Sequence, residues 1–229
     1  MGAAVAQAGN RVRMLEHLKL IDFSGHVSCR IPGTDTFFIN PWGGSASPHL
    51  LGPQDIVKSD MDGNPLKEGD ILPSEKNIHT SIYKVRSDVR AIAHIHPPVT
   101  TALSAAGKEY LPVMHHGAIF HAGVSVYDDC RHVNTPEKGD ALAATLGDLR
   151  ATIIRGHGAV VVAESVKGAF FGSVYLEDNA EKLVDVYKMG AEPCVLREDE
   201  MKACAGIWRE NQFHKVWNYY QETSGISFG

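Results

Sequence analysis

The chain has 229 residues, 44% of them apolar and 21% charged, which is the composition of a folded globular protein. It carries 22 basic and 27 acidic side chains, a net charge of −5, and no basic stripe, which argues against a nucleic-acid partner. Its longest apolar run, residues 159–163, is far shorter than the roughly 18 residues that cross a bilayer, so we expect no membrane association. Without repeats or linkers, the chain is expected to form one domain over residues 1–229.

The cysteines and histidines narrow the search for a site. Four cysteines stand at irregular spacing without a C-x-x-C pair, so we expect reduced thiols. Together with the lack of a signal-peptide pattern, this predicts a cytoplasmic location. Twelve histidines are more than a chain of this size usually holds, and we therefore look for function in histidine chemistry first.

Hydrophobic periodicity predicts helices and short strands that alternate without a strict strand–helix–strand order. In chain order the predicted elements are a helix at about 5–20; strands at His26–Ile31, Thr36–Ile39 and Asp55–Ser59; a helix at Ser74–Arg86; a strand at Ala91–His96; a helix at Pro136–Leu146; strands at Thr152–Arg155 and Ala159–Ala163; and helices at Val166–Met189 and Glu198–Gln221. Ser74 is the predicted N-cap of its helix, and Pro97-Pro98 ends a strand. The alternation predicts an α/β layered sandwich with a mixed or mainly antiparallel sheet.

Two histidines, His94 and His96, lie two positions apart on a predicted strand. Side chains at i and i+2 project from one face of a strand, so both imidazoles point the same way. Such a pair can supply two ligands to zinc, manganese or iron(II). The alternative is a pair of solvent-facing histidines at a strand end.

A third histidine and a carboxylate extend this pattern. In Arg155-Gly156-His157-Gly158, the flanking glycines allow a close backbone approach and expose the imidazole at a turn. Glu75 stands at a helix start, where the helix dipole favours the carboxylate form. Three histidines and a carboxylate would form an open metal site, in which the ion stabilises negative charge that develops on a substrate oxygen. For His157 the alternative is an incidental histidine in a glycine turn.

Four motifs occur in a familiar order: Ser24-Gly25-His26-Val27-Ser28-Cys29-Arg30, Pro73-Ser74-Glu75, His94-Ile95-His96-Pro97 and Arg155-Gly156-His157-Gly158. Together they resemble the class II aldolase/adducin family. The resemblance implies a three-layer αβα sandwich with a mainly antiparallel sheet, and a homotetramer with sites at subunit interfaces. It also implies one divalent metal ion per chain (Zn, Mn or Fe) held by His94, His96 and His157, with Glu75 as the acid/base.

The chain departs from the sugar-phosphate aldolases of that family where they hold the phosphate. His26 stands where those aldolases have an asparagine, and Pro73-Ser74 replaces a serine pair. The tyrosine that donates a proton in those enzymes corresponds to His116. The resemblance therefore implies an incomplete phosphate cradle.

The G-H-V-S-x-R and R-G-H-G forms are instead similar to the decarboxylase branch of the family, which acts on hydroxylated aromatic or pyridine carboxylates. This similarity implies a carboxy-lyase for a small carboxylic acid, with Glu75 protonating the ring carbon and His116 or His26 assisting. The implied substrate contacts are His26, Ser28, Arg30, Ser74 and Arg155. A guanidinium pairs with a carboxylate through two parallel hydrogen bonds, although a structural ion pair is the alternative for each arginine.

Two other functions stay open. A class II aldolase or epimerase acting on a sugar or sugar phosphate would use the same metal to stabilise an enolate. The family also includes adducin, a cytoskeletal protein whose related domain has lost catalysis, so a non-catalytic binding module is the third hypothesis. The presence of all three histidines and Glu75 favours an enzyme.

Overall fold

The computed structural model describes residues 12–42 and 50–225, and these residues form a sheet with helices on both faces. Its strands are β1 (His26–Arg30), β2 (Thr36–Ile39), β3 (Val57–Asp60), β4 (Ala91–Ile95), β5 (Ser125–Tyr127), β6 (Ala151–Ile154) and β7 (Gly158–Ala163). They lie in the order β3-β2-β1-β4-β7-β6-β5. Every pair is antiparallel except β5 with β6. The expected mainly antiparallel sheet is confirmed.

Helices form the outer layers. They are α1 (Lys76–Val85), α2 (Pro98–Ala105), α3 (Pro136–Leu146), α4 (Val166–Lys188), α5 (Glu198–Cys204) and α6 (Glu210–Thr223), with 3₁₀ turns at Pro53–Asp55, His115–Phe120 and Ala205–Ile207. One apolar core joins α1 and α3 to one face of the sheet, and a larger core joins α4 and α6 to the other face. The three-layer αβα arrangement is confirmed. Among the described residues, no helix is long and apolar enough to span a membrane.

The central strands β4 and β7 are buried on both faces, as strands between two helical layers must be. They read as short apolar runs, such as Ala159-Val160-Val161-Val162-Ala163, rather than as alternating patterns. Their ladder places His94 opposite Val160 and Ile95 opposite Ala159. The residues that follow β4 and precede β7 are therefore brought to the same end of the sheet.

The first and last predicted helices differ from the structure. Residues 12–17 are helical, and residues 5–11 of the predicted helix lie outside the described part of the chain. The single helix predicted for Glu198–Gln221 is wrong, because a 3₁₀ turn at Ala205–Ile207 separates α5 from α6. At this break Trp208 packs its ring against Phe171 and Phe213 and donates its indole N–H to Glu164, at 2.9 Å from Oε1. That tertiary packing overrides local helix propensity.

Besides the 3₁₀ turns at Pro53–Asp55 and Ala205–Ile207, three further elements were not predicted. They are α2, the 3₁₀ turn His115–Phe120 and the short edge strand β5. Helix α2 starts at Pro98. Proline is common as the first residue of a helix, so a Pro-Pro pair after a strand is compatible with the start of a helix. Glu177 accepts hydrogen bonds from the backbone N–H groups of Val99 at 2.7 Å and Thr100 at 2.9 Å, so this carboxylate caps the helix from 77 residues away. Such a distant cap leaves no local sequence signal.

Candidate metal centre

His94 and His96 converge at the end of β4. His94 lies on the strand and is fully buried, and His96 follows the strand by one residue. Their Nε2 atoms are 3.1 Å apart. The two imidazoles therefore point to a common position, as expected for a pair separated by one residue.

The turn between β6 and β7 carries His157. The two positions that flank it each require glycine, for different physical reasons. Gly156 has a φ of +66°, a left-handed conformation that side chains disfavour. A Cβ on Gly158 would lie 2.3 Å from the carbonyl oxygen of Ile95 and 2.8 Å from the His96 ring. This close approach sets the His157 ring centroid 5.2 Å from that of His94. The His157 side chain is only 10% exposed, so the expectation of an exposed imidazole at this turn is wrong.

Glu75 faces the same position from α1. It occupies the N-cap of α1, but its side chain makes no capping bond, so the prediction of Ser74 as the N-cap is wrong. Instead Oε1 accepts a hydrogen bond from the backbone N–H of Val133 at 2.8 Å. Oε2 lies 3.5 Å from Nε2 of His94 and 3.6 Å from Nε2 of His157.

The environment of Glu75 keeps it ionised. Burial alone would raise the pKa of Glu75, but the hydrogen bond and charge of His94, the Val133 N–H and His157 outweigh burial and lower that pKa to about 2. Burial, together with neighbouring imidazoles, lowers the pKa values of His96 and His157. Glu75 is therefore a carboxylate, and His96 and His157 are neutral imidazoles, which are the forms in which these side chains bind a divalent metal.

These side chains fit a divalent cation. His94, His96 and His157 each offer a ligand nitrogen, and these atoms lie within 4.8 Å of one another. Nitrogen ligands about 2.0–2.1 Å from a tetrahedral zinc ion are roughly 3.3 Å apart, close to the 3.1 Å observed between His94 and His96. Three imidazoles and a carboxylate suit zinc, manganese or iron(II) alike.

Asp22 is a further candidate site residue, and the sequence analysis did not identify it. Its Oδ1 lies 3.0 Å from Nδ1 of His96 and also accepts the backbone N–H of Ser24 at 2.8 Å. Burial would raise the pKa of Asp22, but the hydrogen bonds from Ser24 and the nearby His96 hold it below its usual value. A carboxylate on the far nitrogen of a ligand histidine fixes its tautomer. The Asp22-Phe23-Ser24 sequence is typical of a turn in which an aspartate bonds the residue two positions on, but it gives no signal of the contact with His96.

The cluster opens into a cavity of about 690 Å³. Glu75, His96 and His157 line it together with the predicted contacts His26 and Ser74. Cys130 and His132 also line it, and neither was singled out from the sequence. They lie between β5 and α3, in the polar run Asp128-Asp129-Cys130-Arg131-His132.

Ser28, Arg30 and Arg155 are predicted contacts that do not line this cavity. Ser28 is fully buried on β1 behind His26. Arg30 donates to the backbone carbonyl of Tyr83 and lies over its ring. Arg155 donates to Asp128 in an ion pair whose arginine side chain is 47% exposed. Arg155 therefore makes the structural ion pair that was its alternative, whereas Arg30 is held by a backbone carbonyl and an aromatic ring rather than by an ion pair.

His116 also lies outside the cavity lining. Its ring stacks on Tyr175 of α4, with the centroids 4.2 Å apart and the planes 8° from parallel. Burial, with His115 and Lys215 nearby, lowers the pKa of His116. The structure thus joins His116 to α4 rather than to the three histidines.

The part of the sequence that contains these motifs matches a protein-family model. The model for the class II aldolase and adducin N-terminal domain matches residues 4–184. The chain belongs to this family. It is 29% identical to 3,4-dihydroxyphthalate decarboxylase from Arthrobacter keyseri, over 90% of this chain and 88% of that protein.

Other members of the class II aldolase and adducin family carry different activities. The chain is 32% identical to 5-deoxy-D-ribulose 1-phosphate aldolase from Bacillus thuringiensis serovar kurstaki, over 67% of this chain and 71% of that protein. A solved aldolase II superfamily protein from Pseudomonas syringae superposes with a TM-score of 0.83 at 21% identity, over 97% of this chain and 92% of that one. This structural similarity to the Pseudomonas syringae protein confirms the fold.

Proposed function

We propose that this protein is a divalent-metal-dependent carboxy-lyase that decarboxylates a hydroxylated aromatic carboxylic acid. The observation that carries the proposal is the convergence of His94, His96, His157 and Glu75 at one end of a cavity large enough for a small aromatic acid. The likeness to a dihydroxyphthalate decarboxylase over most of both chains supports the substrate class.

In this proposal the three histidines hold the ion, and Glu75 moves the proton. When bound, the ion supplies Lewis-acid stabilisation of the negative charge that develops on the substrate hydroxyl oxygen. Glu75 takes the hydroxyl proton at Oε2 and returns it to the ring carbon that bears the carboxylate. A carbon–hydrogen bond forms there, the carbon–carboxylate bond breaks, and the electron pair of that bond passes to the oxygen as carbon dioxide leaves.

His26 and Ser74 are the proposed substrate contacts, because both line the cavity beside Glu75. Ser28 acts behind His26 rather than on the substrate. We assign no contact to Arg30 or Arg155 at this cavity. Proton transfer by His116 would need another copy of the chain, and the homotetramer stays a prediction.

Aldol cleavage of a sugar phosphate is the second candidate. The likeness to a ribulose-phosphate aldolase favours it, and the same cluster would stabilise an enolate. The replacement at His26 counts against it, because this buried imidazole is bonded to another histidine, His79, at 2.7 Å rather than offering an amide to a phosphate. A non-catalytic binding module has less support, since it would have no use for a carboxylate held beside three imidazoles.

A substrate panel tests the proposal. The protein, isolated without added metal and then supplied with zinc, manganese or iron(II), is assayed for carbon dioxide release from hydroxybenzoates and dihydroxyphthalates. Fuculose phosphate and ribulose phosphate are assayed in parallel for aldehyde release, and Glu75→Gln protein serves as the background. Aldehyde formation from a sugar phosphate with no carboxylate turned over would falsify the carboxy-lyase assignment in favour of the aldolase.

A further inference from the structure

A chain of four buried polar side chains leads away from the cavity behind His26. Nδ1 of His26 lies 2.7 Å from Nε2 of His79, and Nδ1 of His79 lies 2.6 Å from Oγ of Ser28. Oγ of Ser28 lies 2.8 Å from the hydroxyl oxygen of Tyr83. All four residues are at most 2% exposed, and they connect β1 to the inner side of α1.

Each hydrogen bond between these four side chains contains one proton. The protonation of one histidine therefore determines the protonation of the other. A neutral imidazole has one N–H donor and one acceptor nitrogen. If the proton between the rings is bound to Nδ1 of His26, the proton of neutral His79 must be on Nδ1. If that proton is bound to Nε2 of His79, both histidines are protonated on Nε2. The two neutral rings therefore always have the same tautomer.

The hydroxyl of Ser28 decides which tautomer is present. A separation of 2.6 Å is usual for a hydroxyl donor and short for an N–H donor, so Ser28 donates to Nδ1 of His79. The hydroxyl proton of Tyr83 then points to Oγ of Ser28, at 2.8 Å, rather than to the backbone carbonyl oxygen of Arg90, which is farther away at 3.5 Å. His79 keeps its proton on Nε2 and donates it to Nδ1 of His26, which leaves the His26 proton on Nε2.

That last N–H has no partner in the part of the chain that the structure describes. Nε2 of His26 is buried and makes no hydrogen bond among the described residues, although the ring lines the cavity. Because Nδ1 of His26 accepts the proton of His79, the His26 ring carries a single proton, on Nε2, and is neutral. A buried donor without an acceptor is costly, and a bound group with an acceptor oxygen would relieve that cost.

We propose that His79 and Ser28 are positioning residues that hold His26 as an N–H donor directed into the cavity, where it binds an oxygen of the substrate carboxylate. The identity of the acceptor rests on the proposed function, whereas the tautomer does not. The assignment also has a consequence for the second group of potential ligands, His26, Glu75 and His94. An imidazole nitrogen that keeps its proton cannot bind a metal ion, so His26 is not a ligand.

The tautomer can be measured directly. In zinc-loaded protein with ¹⁵N-labelled histidine, long-range ¹H–¹⁵N correlation spectra distinguish protonated from unprotonated ring nitrogens. The His26→Gln and His79→Gln variants assign the two residues. We expect both rings to be protonated on Nε2. Protonation of either ring on Nδ1 would overturn the proposal.

Variants of the chain test the cause. Ser28→Ala should remove the single-tautomer signature from both histidines, and Ser28→Thr should restore it. Tyr83→Phe should leave the signature unchanged, because Ser28 still donates to His79. The matched control is Ser173→Ala, since Ser173 is equally buried but its hydroxyl donates to the Ala169 carbonyl, at 2.7 Å, rather than to a histidine. An unchanged signature in Ser28→Ala, or a switched one in Tyr83→Phe, contradicts the assigned direction.

The acceptor is tested with salicylate as the probe and salicylamide as its neutral counterpart. Salicylate should shift the Nε2 signal of His26 more than salicylamide does, and Ser28→Ala should weaken salicylate binding about tenfold at unchanged zinc content. Binding without a shift at His26 would overturn donation to the carboxylate. If salicylate does not bind and both tautomers are as stated, the proposed substrate class fails and the positioning role stands.

Discussion

Asp22 lies 3.0 Å from Nδ1 of His96, although 74 residues separate the two in the chain. The carboxylate accepts the Nδ1 proton, so Nε2 of His96 presents its lone pair toward Nε2 of His94. The loop before β1 thus fixes the tautomer of His96, at the end of β4. Ser24 holds the carboxylate in turn, through its backbone N–H and its hydroxyl, each at 2.8 Å.

Replacing this carboxylate should weaken metal binding without unfolding the chain. Asp22→Asn loses the charged acceptor on His96, and outer partners of this kind typically contribute about 10–100-fold in affinity. We expect zinc affinity, measured by competition with a chelating dye, to fall by that factor. The control is Asp62→Asn, whose ion pair with Lys84 is exposed and distant from the cavity. Equal affinity in the two variants would contradict the role of Asp22.

Removing a proposed ligand should have a larger effect. His96→Ala leaves two imidazoles, and the metal content of the purified protein, measured by elemental analysis, should fall from about one ion per chain to a small fraction. The circular dichroism spectrum should stay the same, because His96 lies outside the strand ladder. Full metal content in this variant would remove His96 from the site.

Glu75 should be needed for turnover rather than for holding the ion. Glu75→Gln keeps the size of the side chain and loses the proton acceptor, so we expect metal content to persist while the turnover number falls about 10²–10⁴-fold. The comparison is Glu68→Gln, at an exposed position. A loss smaller than about tenfold on the true substrate would assign Glu75 a structural role.

Gly158 should be intolerant of any side chain. A Cβ there would meet the Ile95 carbonyl and the His96 ring, so Gly158→Ala should displace a ligand and lower the free energy of unfolding by about 1–3 kcal/mol. Gly206→Ala is the matched control, because no atom of residues 12–42 or 50–225 beyond its own neighbours lies within 4 Å of its Cβ position. Denaturant titration together with metal analysis separates the two effects, and an alanine tolerated at both sites would disprove the close approach.

Asp178 should make stability depend on pH. Burial, with the charge of Glu181, raises its pKa to about 6, so the stability present below pH 4 is lost as the pH rises through 6. Asp178→Asn should then be more stable than the wild type at pH 8, by about 1 kcal/mol after allowance for solvent screening, and equally stable at pH 4. Asp185→Asn, on an exposed turn of the same helix, should show no such difference.

Sequence patterns predicted the parts of the site that short-range rules govern. The spacing of His94 and His96 and the glycines around His157 indicate geometry within a few residues, and the structure brings these side chains together. Asp22 was not found, because its partner is distant in the chain. Helix α3 was predicted at Pro136–Leu146, the bounds that it has, since Thr135 and Pro136 supply local start signals.

The break before α6 and the capping of α2 by Glu177 depend on contacts between distant segments. No periodicity within either segment encodes such contacts. The same limit applies to the arginines. The motif chemistry of Arg30 and Arg155 is compatible with a carboxylate ligand, but their partners are the Tyr83 carbonyl and Asp128.

The three histidines come from two strand ends, His94 and His96 at the end of β4 and His157 before β7, and this links metal binding to folding. His94 and His157 are more than 60 positions apart in the chain and meet only when β4 pairs with β7. An ion held by both is a ligand of the native state alone, and at 100 times its dissociation constant it adds about 2.7 kcal/mol to the free energy of unfolding. The melting temperature should therefore rise with metal concentration, and the order of the rises among zinc, manganese and iron(II) would rank the affinities of the site before any substrate is known.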